Sequence, residues 1–167
     1  MIKYFLIGLG IVAIGFIVLM IVKAKKRKKE IINKLSKLSN DNGYEFIVNK
    51  DKTFLIKGEK TLLIDYVEIP PNSSVTINSK STWCLRWGGK RYGRGYPNQR
   101  YLNELSDFLK LKVDYIKVII LYKTTEKILM YLNESEIATV DEGKKVYDYK
   151  VVTFDNIENV FPKLFEW

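Results

Sequence analysis

The sequence predicts an α/β domain with a mixed sheet, carried behind one N-terminal transmembrane helix. Three observations predict it. Tyr4–Val22 runs for nineteen residues without a charge. After Tyr44 the apolar spacing changes from the helical period to the two-residue alternation of strands. Further on, Tyr115–Tyr122 (YIKVIILY) is nearly all apolar, the pattern of a strand buried on both faces.

Tyr4–Val22 has the length needed to cross a hydrocarbon core of ~30 Å as a helix. One lysine precedes it and KAKKRKK follows, so the positive-inside bias places the N-terminus outside and everything after Lys23 in the cytoplasm. A cleaved signal peptide is the rival reading, but no small-x-small cleavage site precedes the basic run. Lys25–Asn42 continues as an amphipathic helix, with Ile31, Leu35 and Leu38 at helical spacing, Ile32 widening the stripe and Asn42-Gly43 stopping it. Residues 23–43 thus form a basic juxtamembrane segment, and residues 44–167 the α/β domain. The polybasic start either marks topology alone or also grips anionic lipid.

Within the domain, Tyr44–Asn49 and Thr53–Lys57 read as a hairpin around Lys50-Asp51-Lys52. Thr61–Ile69 and Ser74–Ser79 read as a second strand pair, joined by a Pro-Pro-Asn-Ser turn. Lys80–Pro97 is polar and glycine-rich, and reads as a loop leading into a helix near Pro97. Tyr101, Leu102, Leu105, Phe108 and Leu109 mark that helix's buried face. After the Tyr115–Tyr122 strand, Ile128–Leu132, Glu136–Val140 and Val146–Phe154 are further strands. Asp155 is placed to cap a last helix, Asn156–Glu166, which Pro162 kinks or breaks.

Composition removes several chemistries. The chain has no histidine and one cysteine, Cys84, which excludes histidine bases, imidazole ligands, cysteine-built metal sites and internal disulfides. Chemistry would rest on carboxylates, Lys, Arg, Tyr or an oxygen-bound cation. The net charge of +9 is concentrated at the N-terminus, where residues 1–29 hold seven cations and no acid. The other 138 residues carry 21 basic against 19 acidic groups.

Two constellations are candidates for function. Ile69–Asn103 contains no acid but six cations: Lys80, Arg86, Lys90, Arg91, Arg94 and Arg100. Trp83, Trp87, Tyr92, Tyr96 and Tyr101 are interleaved with them. Cations with stackable rings suit a phosphate backbone with accessible bases, DNA or RNA. The same mixture suits anionic lipid headgroups, or a solvated loop whose rings cover a sheet edge. The second constellation is Asp65, Asn78 and Lys80. Asn78 and Lys80, two apart in a strand, share a face, and an adjacent strand can bring Asp65 beside them. Two carboxylates there would hold Mg²⁺; one carboxylate and an amide make a weaker site.

The order Ile64-Asp65, turn, Val75-Thr76-Ile77-Asn78-Ser79-Lys80, Gly-rich segment with Trp, Asn98-Gln99, apolar strand resembles the nuclease-related domain (NERD) family. That is a bacterial and archaeal branch of the restriction-endonuclease-like, PD-(D/E)xK fold, many of whose members look membrane-anchored. The resemblance covers roughly residues 30–160. It implies a catalytic role for Asp65, Lys80 and Gln99, with Glu30 matching a glutamate of the family's first helix. Asn78 stands where the family has glutamate, and Glu68 is the nearest replacement as a metal ligand beside Asp65, given a bulge near Pro70.

The sequence therefore predicts a single-pass plasma-membrane protein with a degenerate nuclease-related domain. It is expected to bind nucleic acid through Arg86, Trp87, Lys90, Arg91, Tyr92, Arg94, Tyr96 and Arg100, with impaired or absent cleavage. The alternatives are an active Mg²⁺-dependent nuclease and a membrane-tethered scaffold contacting protein or anionic lipid. No small-molecule cofactor is implied.

Overall fold

The computed structural model of the chain describes residues 2–49, 52–89, 96–133 and 136–166, with side chains for all of these except 2–9 and 11. The chain divides into two compact units, Met1–Lys37 and Leu38–Trp167.

One continuous helix, α1 (Ile2–Asp41), fills the first unit and enters the second. The uncharged stretch and the amphipathic segment are thus one rod, ~60 Å long at 1.5 Å per residue. No proline or glycine pair falls in Val22–Lys29 to break it, and lysine and arginine are good helix formers. Every residue from Val12 to Lys26 is exposed, and nine of the large apolar side chains among them, Val12 to Val22, are at least half exposed. Ile31, Leu35 and Ser39, four apart, form the buried stripe, while Leu38 is half-buried. Among the described residues no helix is long and apolar enough to cross a membrane. The described side chains take in only the C-terminal part of Tyr4–Val22, beginning at Gly10 and Val12. The helix stops where the sequence predicts. Gly43 adopts φ +68°, and the Tyr44 N–H reaches back to the Ser39 carbonyl at 2.8 Å, closing a Schellman cap.

The second unit holds two mixed sheets. The six-stranded sheet comprises β1 (Glu45–Asn49), β2 (Lys52–Lys57), β3 (Lys60–Glu68), β7 (Ile116–Tyr122), β11 (Tyr149–Thr153) and β10 (Lys145–Val146), in that spatial order. The five-stranded sheet comprises β6 (Asn98–Tyr101), β5 (Thr82–Trp87), β4 (Ser73–Ser79), β8 (Lys127–Tyr131) and β9 (Ile137–Thr139). The predicted first hairpin is β1–β2, antiparallel. The apolar YIKVIILY run supplies β7, central and parallel to both β3 and β11, with every residue from Ile116 to Tyr122 buried, while Tyr115 before it is exposed. Both sheets contribute to one core, including Val67, Ile119 and Val151 from the first and Val75, Ile77, Trp83 and Leu85 from the second.

Several predicted elements are corrected. Thr61–Ile69 and Ser74–Ser79 are strands, but β3 and β4 do not pair; they lie in different sheets. The Pro-Pro segment carries the chain from one sheet to the other, because proline lacks the N–H that would continue a ladder. The glycine-rich stretch is not all loop: Thr82–Trp87 is β5, whose Trp83 and Leu85 are core residues. Asn98–Tyr101, expected to open a helix, is the edge strand β6 with all four residues exposed. The helical turns follow it as a 3₁₀ turn (Asn103–Leu105) and α2 (Ser106–Lys110), burying Leu102, Leu105 and Leu109 as expected but not Tyr101. Val146–Phe154 is broken by a hairpin in which Tyr147 takes φ +55°. At the C-terminus Asn156, not Asp155, is the N-cap of α3 (Ile157–Val160), and the chain continues as a 3₁₀ turn at Phe161–Phe165, with Pro162 at its start.

Gly143 has φ +77°, and a Cβ there would collide with Cγ1 of Val160, a buried side chain. Gly143→Ala is expected to cost about 1–3 kcal/mol through backbone strain and overpacking. Urea unfolding followed by tryptophan fluorescence checks this.

Candidate nucleic-acid interface

The β5–β6 hairpin organises the candidate interface. Strand alternation turns Trp83, Leu85 and Trp87 to the core side and Cys84 and Arg86 to the other. Across the ladder Asn98 opposes Trp87, Gln99 opposes Arg86, Arg100 opposes Leu85 and Tyr101 opposes Cys84. One face of the hairpin therefore carries Arg86, Gln99 and Tyr101, and the opposite, core-side face carries Trp87 and Arg100. Tyr101 is 57% exposed, and the Arg86 Nε is buried with no hydrogen-bond partner among the described residues. Trp87 is half-buried, packed on the core.

Trp87 and Arg100 line a cleft of about 500 Å³ together with Tyr66, Val67, Glu68, Pro70 and Glu104. It lies at the carboxyl end of β3, the end of parallel strands where α/β sheets commonly hold ligands. Arg100 is engaged there: its guanidinium donates to both carboxylate oxygens of Glu104, at 2.7 and 2.9 Å. That bond holds the Glu104 carboxyl below its usual range against the opposing effect of burial, and raises the arginine. Tyr96 donates its hydroxyl to Glu126 at 2.6 Å; burial, and then that carboxylate, push its pKa up to about 12. Lys90, Arg91, Tyr92 and Arg94 lie outside the described residues.

The predicted catalytic constellation is not brought together. Asp65 is in mid-β3, where its Oδ1 accepts the Tyr66 N–H at 2.8 Å. Lys80 sits in the β4–β5 turn of the other sheet, and Gln99 on the edge strand β6, exposed. The acid that Lys80 meets is Asp148, at 3.3 Å. The ladder shifts register between Ile77 and Ser79, leaving Asn78 bulged out of it, so Asn78 and Lys80 do not extend one strand face. Glu30 lies on α1 in the other unit.

Mg²⁺ does not fit these residues. Asp65 and Glu68, three apart, could converge only across a bulge, but β3 pairs with β7 without interruption from Leu62 to Glu68. The two carboxylates therefore leave opposite faces of the strand. Among the described residues no group of three or more His, Cys, Asp or Glu side chains could hold a metal ion.

One polar cluster was not anticipated from the sequence. Lys117, on the all-buried strand β7, is fully buried. Its ammonium donates to the Leu109 carbonyl at 2.8 Å, the Leu111 carbonyl at 3.2 Å and the Asp148 carboxylate at 2.8 Å, which uses all three protons. The signal was present in the sequence as one lysine within an apolar run and one acid, Asp148, within Val146–Phe154. A buried lysine requires such a partner.

Compared with known proteins, the chain matches no family model, no curated protein and no solved structure.

Proposed function

We propose that this is a membrane-anchored nucleic-acid-binding protein that does not cleave its ligand. The β5–β6 hairpin and its basic loop would hold a strand with accessible bases, stacking a base on Trp87 and taking phosphates on Arg86, Lys90, Arg91 and Arg94. The observation that carries the reading is the placement of Arg86, Gln99 and exposed Tyr101 on one face of the hairpin, with Trp87 in a cleft beside Arg100 on its opposite face. Aromatic platforms beside cations are how proteins hold single strands without reading sequence. Arg100 is left out of the phosphate set because Glu104 already pairs with it, and Lys80 because it lines a separate cleft.

The membrane anchor of the proposal is Tyr4–Val22, with the N-terminus outside and the Leu38–Trp167 unit on the cytoplasmic side. It is supported by the absence of charge over that stretch, the exposure of its apolar side chains from Val12 to Val22, and the basic run that follows. Of the nuclease-related resemblance, the proposal keeps the restriction-endonuclease-like fold as ancestry and drops the catalytic centre.

The test of non-cleavage is incubation of the full chain, in neutral detergent, with single- and double-stranded DNA and RNA and Mg²⁺ or Mn²⁺. Intact strands are expected; cleavage that Asp65→Ala abolishes contradicts the proposal. Glu104→Gln is expected to release Arg100 for a phosphate, steepening the log–log salt dependence of binding by about 0.7–0.9. An unchanged slope would leave Arg100 outside the interface.

A further inference from the structure

We infer that a second cleft, sharing no residue with the hairpin cleft, is a binding site for a phosphate-bearing anion. It has a volume of about 620 Å³ and is lined by Lys80 and Ser81 from the β4–β5 turn, Leu109 to Asp114 at and after the end of α2, and Asp148. Three of its lysines face solvent: Lys110 and Lys112 are exposed, and the Lys80 side chain is 57% exposed.

Its two acids do not balance these lysines. Asp148 is bonded at 2.8 Å to the wholly buried Lys117, which adds a fourth cation directly behind the wall. That leaves Asp114 as the one acid of the cleft not already committed to a buried partner. An arriving phosphate meets an excess of positive charge, and the Ser81 hydroxyl is a neutral donor beside it.

The wall is also fixed before any ligand arrives. Lys117 holds the Leu109 carbonyl, the Leu111 carbonyl and Asp148 at once, so three lining residues are tied to one buried ammonium. Lys80 is held over the cleft at 3.3 Å from Asp148 and can turn from it to a ligand, because the carboxylate keeps Lys117 as its partner. A rigid wall with mobile ammonium ends around it lowers the ordering cost of binding a compact, multiply charged anion. Lysine suits this as a point charge on phosphate, without the planar fork by which arginine reads carboxylates.

Two sources share this chemistry: a small phosphorylated molecule, and the terminal phosphate of a nucleic-acid strand. The probe is pyrophosphate, titrated calorimetrically into the full chain in neutral-detergent micelles at about 0.1 M chloride, where surface fields still reach about 10 Å. Sub-millimolar binding is expected, weakened at least tenfold in a Lys110→Ala/Lys112→Ala variant, whose two exposed side chains leave the fold intact. Lys80→Ala is expected to weaken it as well. Single strands with and without a 5′-phosphate separate the sources: preference for the phosphorylated strand, lost in the double variant, assigns strand ends. Equal binding of both strands, with pyrophosphate still bound, assigns small phosphates. Absence of pyrophosphate binding, or equal binding by wild type and double variant, overturns the site. Because Trp87→Ala removes the hairpin platform without touching this cleft, its pyrophosphate affinity is expected to stay unchanged even if the hairpin binds no nucleic acid.

Discussion

Asp148→Asn is expected to destabilise the Leu38–Trp167 unit by roughly 3 kcal/mol, because it strands a buried ammonium without its counter-charge. Lys117 has no exposed surface, and two backbone carbonyls alone cannot neutralise it. The low end of the range for broken buried pairs applies, since the Asp148 side chain is 33% exposed and water can reach the site. Lys117→Met removes the buried charge together with its need for a partner, so it is expected to cost less than Asp148→Asn. Urea unfolding of the full chain, read by tryptophan emission, measures both, with the slope checked for constancy. Equal midpoints for Asp148→Asn and wild type would show that Lys117 does not depend on this carboxylate.

The same pair predicts a pH dependence. Burial pushes the Asp148 carboxyl up, but the hydrogen bond and charge of Lys117, with Lys80 beside it, outweigh burial and leave it below its ordinary value. A carboxyl lowered in the folded state stabilises fully above its unfolded value of about 3.9 and loses that contribution as pH falls through the folded value. Wild type should therefore lose stability below about pH 4 more steeply than Asp148→Asn. Parallel curves for the two would contradict this assignment.

What the sequence revealed of this fold followed from the physics of each segment. Tyr115–Tyr122 was legible because a strand covered on both faces needs an apolar residue at nearly every position, and Asn42-Gly43 because a helix cap needs a residue at positive φ. Thr61–Ile69 and Ser74–Ser79 were legible as strands, but not in their pairing. A short turn between two strands normally makes a hairpin, whereas here two prolines deliver the second strand to another sheet. That difference divides the apparent nuclease constellation, since Asp65 and Lys80 are near in sequence but belong to different sheets. Asn98–Tyr101 is a strand rather than a helix start: helix and strand periods cannot be separated over four residues, and pairing with β5 decides the outcome. Of the candidate site, Trp87 and Arg100 do meet in one cleft, which residue order alone could not establish, and Glu104 beside them is the first residue past the acid-free stretch Ile69–Asn103.

Trp87→Ala is expected to weaken binding of a single strand by about 1–3 kcal/mol, the value of one stacked base, which is roughly five- to 150-fold in Kd. Trp87 is half-buried at the margin of the core, so part of any change reflects stability. Trp87→Phe, which keeps a ring, is expected to recover most of the affinity, and a purely structural role would give no such recovery at temperatures well below unfolding. Arg86→Ala should act differently, weakening all sequences alike and reducing the salt slope by about 0.7–0.9, as loss of one phosphate contact does.

The salt dependence of single-strand binding by the full chain in neutral detergent tests the central claim most directly. With Arg86, Lys90, Arg91 and Arg94 as the phosphate contacts, Arg100 held by Glu104 and Lys80 in the other cleft, the log–log slope for strands without a terminal phosphate is expected to lie between about −2.8 and −3.6, at ~0.7–0.9 per contact. A slope near zero, or no binding at low salt, would contradict a nucleic-acid partner for this hairpin.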